Sequence, residues 1–106
     1  MTVATFLKKV AKLAEEGNIE IVENKKNMQT KRKYNLTTED QEDMIKQLEP
    51  SDLIKGPVLD RDIIKEEVWI FKKKYDNIKV LIYIKLKIRD NKECICLSIH
   101  EDEEVN

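Results

Sequence analysis

From Ile78 to Ile88 the chain alternates so regularly that only an extended strand can sort its side chains. Val80, Ile82, Ile84, Leu86 and Ile88 fall on one face, and Lys79, Leu81, Tyr83, Lys85 and Lys87 fall on the other. A helix would scatter these apolar residues around its circumference. Glu67–Lys72 and Glu93–Ile99 carry the same period, with Ile95, Leu97 and Ile99 alternating against Cys94, Cys96, Ser98 and His100. Tyr75-Asp-Asn77 and Arg89-Asp-Asn91 are turn sequences, so the three strands are expected to form an antiparallel meander. One face of that sheet is apolar and needs a cover. The other is polar and cationic.

The first half of the chain supplies the cover. Val3, Phe6, Leu7, Val10, Leu13 and Ala14 recur at helical spacing, and Gly17 offers a left-handed stop. Ile19–Val22 reads as a short extended piece. Lys25–Tyr34 reads as a short polar helix with Met28 as its main apolar contact. Thr37-Thr-Glu-Asp40 and Thr38-Glu-Asp-Gln41 are overlapping capping boxes, and Met44, Ile45 and Leu48 form the buried stripe of the helix they open. One more turn is expected at Ser51–Ile54. From Lys55-Gly-Pro57 to about Lys65 the chain reads as an irregular loop, in which Ile63 and Ile64 require burial. Helices stacked on one face of an antiparallel sheet make an α+β domain, and 106 residues suit a single one, spanning 1–106.

Charge is segregated along the chain. Residues 1–38 carry a net +4, residues 39–67 carry −6, residues 68–93 carry +5, and Glu101-Asp-Glu-Glu104 carry −4. The total of −1 argues against a nonspecific nucleic-acid binder held by charge alone, yet leaves room for a local anion site. No apolar run is long enough for a membrane span, and the charges of the first residues follow the apolar ones, the wrong order for a secretory signal. A cytoplasmic protein without membrane contact is expected. Cys94 and Cys96 on one strand are poorly placed to pair with each other. With His100 they alternate onto one face, an incomplete zinc set that lacks a fourth ligand. No metal or cofactor is expected.

Leu53-Ile-Lys-Gly-Pro57, Asp60-Arg-Asp62, Trp69-Ile-Phe71, Tyr83-Ile-Lys-Leu-Lys-Ile88 and Leu97-Ser-Ile-His100, in that order, resemble the MqsR family. These proteins are the toxin halves of type II toxin–antitoxin pairs. The resemblance implies a RelE-like fold with N-terminal helices packed on an antiparallel sheet. It implies a metal-independent endoribonuclease acting on single-stranded mRNA and a cognate antitoxin protein, with no direct DNA binding by the toxin alone. It maps the lysine of the family's Lys-Gly-Pro run to Lys55, the sheet tyrosine to Tyr83, and the cationic residue after the last strand's serine to His100. Ile70 stands where the founding branch has a polar residue, and His100 where it has a lysine.

Metal-free cleavage of RNA uses the 2′-hydroxyl as nucleophile. A base takes its proton, an acid protonates the leaving 5′ oxygen, and fixed cations hold the charge on phosphorus. His100 suits acid or base work, Tyr83 positioning or proton donation, and Lys55 and Lys85 electrostatic stabilisation. Lys87, Arg89 and Arg61 are candidates for gripping flanking phosphates. On pattern alone, Tyr83, Lys85 and Lys87 equally describe a solvated sheet face, and His100 an exposed strand end. Trp69 and Phe71 share a face and are core or a base-stacking platform, with core preferred for Trp69. The rival reading is a noncatalytic interaction protein on the same scaffold.

Overall fold

A computed structural model describes residues 1–63 and 65–103. Helix α1 (Val3–Glu15) opens on Thr2, whose side chain accepts from the Thr5 amide. It ends at Gly17, whose φ of +78° is the left-handed conformation expected there. Strand β1 (Ile19–Ile21), helix α2 (Lys25–Lys33) and helix α3 (Thr38–Lys46) follow. Of the two overlapping capping boxes, the Thr37–Asp40 pair forms: each side chain accepts from the other's amide. A single 3-10 turn, Pro50–Asp52, leads into β2 (Leu53–Leu59), β3 (Glu67–Tyr75), β4 (Ile78–Arg89) and β5 (Glu93–Glu101). Asp90 and Asn91 both take positive φ in the β4–β5 turn, a conformation these short polar residues tolerate.

The five strands are ordered β1-β5-β4-β3-β2, with β1 parallel to β5 and the other pairs antiparallel. The fold is α+β, its N-terminal helices packed against the sheet. Phe6, Val10 and Leu13 of α1 meet Trp69, Phe71, Ile82, Ile84 and Leu86 in one buried cluster with Met44, Ile45 and Leu48. Phe6 stacks on Trp69 with ring centroids 4.6 Å apart, so Trp69 and Phe71 are core. Val80 is exposed at the start of β4, while Ile88 packs partly against the cluster.

Three sequence expectations are corrected. The segment after Lys55 is an edge strand, not an irregular loop. Its register against β3 slips on either side of Lys55, which hides the period of two. Gly56 has φ +142°, and a Cβ there would lie 3.0 Å from the Trp69 Cα and the Val68 oxygen, so β2 packs closely only because this residue is glycine. Ile63 is exposed, and Ile64 and Glu104 lie outside the described residues.

The second correction concerns β5. Lys85 pairs with Ser98 and Leu86 with Cys96, so Leu97 is an extra residue at a bulge. Alternation resets there. Cys94, Cys96 and Ile99 share the core face, whereas Ile95, Ser98 and His100 lie on the opposite one. The two cysteines therefore do not share a face with His100.

The third correction concerns α2. Its buried residues are Asn27 and Thr30, not Met28. β1 covers only the first residues of the β5 edge, and α2 completes the rest with side chains. The Asn27 amide donates to the Val22 and Leu97 oxygens at 2.8 and 3.2 Å, and its oxygen accepts from the Ile99 N–H at 2.8 Å. Asn24 donates to the Leu97 oxygen, and Thr30 accepts from the Glu101 N–H.

On the open face, the connection between β2 and β3 is pinned by ions. Lys87, only 3% exposed, lies 2.7 Å from Asp60 and 2.9 Å from Glu66. Arg89 grips Glu66 with two N–H groups at 2.8 and 2.9 Å. The Lys87 hydrogen bond, with the Asp62 amide, pulls the Asp60 carboxyl down to about 2 from an ordinary 3.8. Arg89 and then Lys87 pull Glu66 down to about 2 from 4.5. Burial disfavours the Lys87 charge, but the bonds to Asp60 and Glu66 outweigh it and raise its pKa.

Asn27→Ala strands the Ile99 N–H and the Val22 oxygen, so urea unfolding should show a loss of roughly 2–4 kcal/mol, while Gln29→Ala on the exposed side should be near neutral. Carboxyls with depressed folded pKa values stabilise above their unfolded values and lose that contribution as pH falls. Thermal stability should therefore drop between about pH 4.5 and pH 2 as Asp60 and Glu66 protonate. In Asp60→Asn/Glu66→Gln that acid step should flatten, and stability at pH 7 should fall because Lys87 keeps a buried charge without a partner.

Candidate functional site

Sheet register decides which cations can act together. Lys55, Ile70, Lys85 and Ser98 form one row across β2, β3, β4 and β5, and Lys72, Tyr83 and His100 form the adjacent row. Both rows lie on the face away from the helical core. A groove of about 630 Å³ opens over the β4–β5 side of these rows. Its floor is Tyr83, Lys85, Ser98 and His100. One wall is the start of α2, with Asn24, Lys25 and Lys26, and the other boundary is Asp102 and Glu103. That volume falls in the range that holds a small ligand.

Tyr83 and His100 are direct cross-strand partners, and their rings stack with centroids 5.3 Å apart and planes 18° from parallel. The His100 Nδ1 sits 2.8 Å from the Glu101 carbonyl oxygen. A carbonyl only accepts, so Nδ1 carries the hydrogen, and in the neutral ring Nε2 is the basic nitrogen. This places a proton acceptor, a phenol, a hydroxyl from Ser98 and a cation from Lys85 around one groove.

The other residues singled out from the sequence are placed differently. Lys55 shares the face but lies two strands from Lys85, roughly 10 Å at the usual strand spacing, and does not line the groove. Lys87 and Arg89 are engaged by Asp60 and Glu66 and hold the β2–β3 connection. Arg61 is exposed on that connection and does not line the groove. Burial pushes the Cys94 thiol up to about 12 and raises Cys96 further, so both are neutral core side chains.

Sequence reasoning missed the α2 wall and Lys72. Lys72 lies opposite Tyr83 and pairs with Asp102 at 3.1 Å. The rest of the acidic run is paired too: Glu101 with Lys33 at 2.9 Å and with the Tyr34 hydroxyl, and Glu103 with Lys26 at 2.9 Å. Lys33 in particular holds the Glu101 carboxyl below its ordinary value. The signal for α2 was Asn24, Asn27 and Thr30 at intervals of three, a polar stripe where a hydrophobic one is usually sought. Among the described residues no helix is long and apolar enough to cross a membrane.

A comparison with curated proteins finds no match. The pattern that defines one known family, described as motility quorum-sensing regulator and toxin of MqsA, matches residues 2–101. That span contains every helix and strand described above, together with Tyr83, Lys85 and His100 in the groove. The chain belongs to the MqsR toxin family and is a toxin of a toxin–antitoxin pair.

Proposed function

We propose that this toxin is a metal-independent endoribonuclease that cuts single-stranded mRNA through attack by the 2′-hydroxyl, and that its cognate antitoxin restrains it in the cytoplasm. The observation that carries this reading is the Tyr83–His100 stack, with Nδ1–H committed to the Glu101 carbonyl and Lys85 beside it. His100 Nε2 takes the proton of the 2′-hydroxyl as that oxygen bonds to phosphorus. The bond from phosphorus to the 5′ oxygen breaks, and the Tyr83 hydroxyl supplies the proton to the departing oxygen. The imidazolium then gives its proton to water and the phenolate regains one. The products are a 2′,3′-cyclic phosphate and a 5′-hydroxyl.

Lys85 stabilises the negative charge that gathers on the phosphoryl oxygens. Lys55, exposed and farther along the same face, holds a flanking phosphate of the bound strand. Arg61 is placed for the same task on the β2–β3 connection, whereas Lys87 and Arg89 serve by holding that connection in place. The required 2′-hydroxyl restricts the reaction to RNA.

Purified toxin, a single-stranded RNA and excess chelator provide the test. Fragments ending in 2′,3′-cyclic phosphate are expected. His100→Ala should lower kcat by about 10²–10⁴-fold, the usual worth of a positioned acid or base, and Tyr83→Phe by less. Lys55→Ala should raise KM with kcat nearly retained. Failure to cut any RNA while still binding the antitoxin would replace the ribonuclease with a noncatalytic interaction protein. Cleavage that survives His100→Ala unchanged would move the chemistry away from this groove.

A further inference from the structure

Two lysines border the groove, and each is held by a carboxylate from the segment that ends β5. Asp102 extends the pairing of β5 by one step, its N–H donating to the Leu81 oxygen at 2.9 Å. From there its carboxylate meets Lys72, although β4 lies between their strands, so the ion pair passes across β4 next to Tyr83. Both side chains are only 12% exposed. Glu103 meets Lys26 at the α2 wall, and there the two are 57% and 62% exposed. An anion therefore already stands against a cation on each side of the Tyr83–His100 stack.

We propose that Lys72 and Lys26 are two phosphate subsites of the groove, occupied in the free protein by Asp102 and Glu103, so that the acidic segment competes with the RNA backbone. The proposal rests on the ribonuclease reading above and adds to it two binding residues and a built-in restraint. A phosphate that replaces Asp102 leaves Lys72 with an anionic partner and returns the carboxylate to water. The exchange costs less than stripping a lysine bare. Glu103, exposed and held by one contact, exchanges more easily. Glu101 stays out of the exchange: Lys33, Tyr34 and its backbone bond to Thr30 fix it on the α2 side. The displaced segment thus begins at Asp102.

The experiment measures binding of a randomised pool of single-stranded 2′-O-methyl octanucleotides, which cannot be cut, by fluorescence anisotropy over a salt series. In Asp102→Asn/Glu103→Gln, affinity at low salt should rise roughly tenfold. The slope of log K against log salt should steepen by about 0.7 for each lysine released. Adding Lys72→Gln should remove the Asp102→Asn gain while leaving the Glu103→Gln gain, and Lys26→Gln should do the reverse.

If Asp102→Asn lowers the melting temperature and leaves affinity and slope unchanged, the Lys72 pair is a structural latch and the proposal falls. The same holds if the gain survives Lys72→Gln. In either case cleavage of RNA by the unaltered toxin would keep the ribonuclease reading standing. If no variant binds the pool and the unaltered toxin cuts no RNA, both fall together.

Discussion

The Asn27 side chain is the contact on which the rest of this toxin depends. An edge strand presents a row of unpaired N–H and C=O groups, and β1 satisfies them only as far as Cys96. Beyond that point α2 lies along β5, where a strand would otherwise be needed. Asn27, 1% exposed, bonds to Val22, Leu97 and Ile99 at once, and Asn24 and Thr30 extend the pairing to either side. Those bonds also determine where the start of α2 stands. They set Lys25 and Lys26 beside His100, so one wall of the groove exists because a polar helix completes a sheet.

The bulge at Leu97 is the second constraint, and it separates structure from chemistry along a single strand. Before it, Cys94 and Cys96 belong to the core; after it, Ser98 and His100 point to the open face while Ile99 remains inside. Without the extra residue, strict alternation would force a choice between burying the cysteines and placing His100 opposite Tyr83. The bulge resolves this within one residue, and the Lys85–Ser98 and Tyr83–His100 pairs follow from the new register.

How far the sequence announces this fold depends on whether each element relies on a repeating pattern. α1, α3 and β4 repeat apolar residues at one period, and their buried faces are readable. The inner face of β4 is continuous from Ile82 to Leu86, so Tyr83 and Lys85 are correctly turned outward. β5 is readable up to its bulge, since nothing in the run Cys94–His100 marks an extra residue. β2 is unreadable because Gly56 and Pro57 carry the signature of a loop, and only the approach of Trp69 to Gly56 shows why they sit in a strand. α2 buries amide and hydroxyl groups, which hydrophobic periodicity cannot see. Lys87 and Arg89 share the alternation of Lys85, but Asp60 and Glu66 meet them from a distant segment, and that pairing is tertiary.

The near-neutral total charge gains meaning from where each pair is buried. Lys87 and its carboxylates are almost fully enclosed, and removing a partner there strands a charge that water cannot reach. At the groove the pairs are progressively more open, from Lys72 with Asp102 to Lys26 with Glu103. Enclosed pairs fix geometry, and open pairs can change partners at little cost. A basic face made only of unpaired lysines would attract any polyanion. A face whose lysines already hold carboxylates favours a ligand that brings several phosphates in the right spacing. Selectivity for a bound strand over scattered anions then arises from the internal pairing itself, with no need for a strongly basic protein.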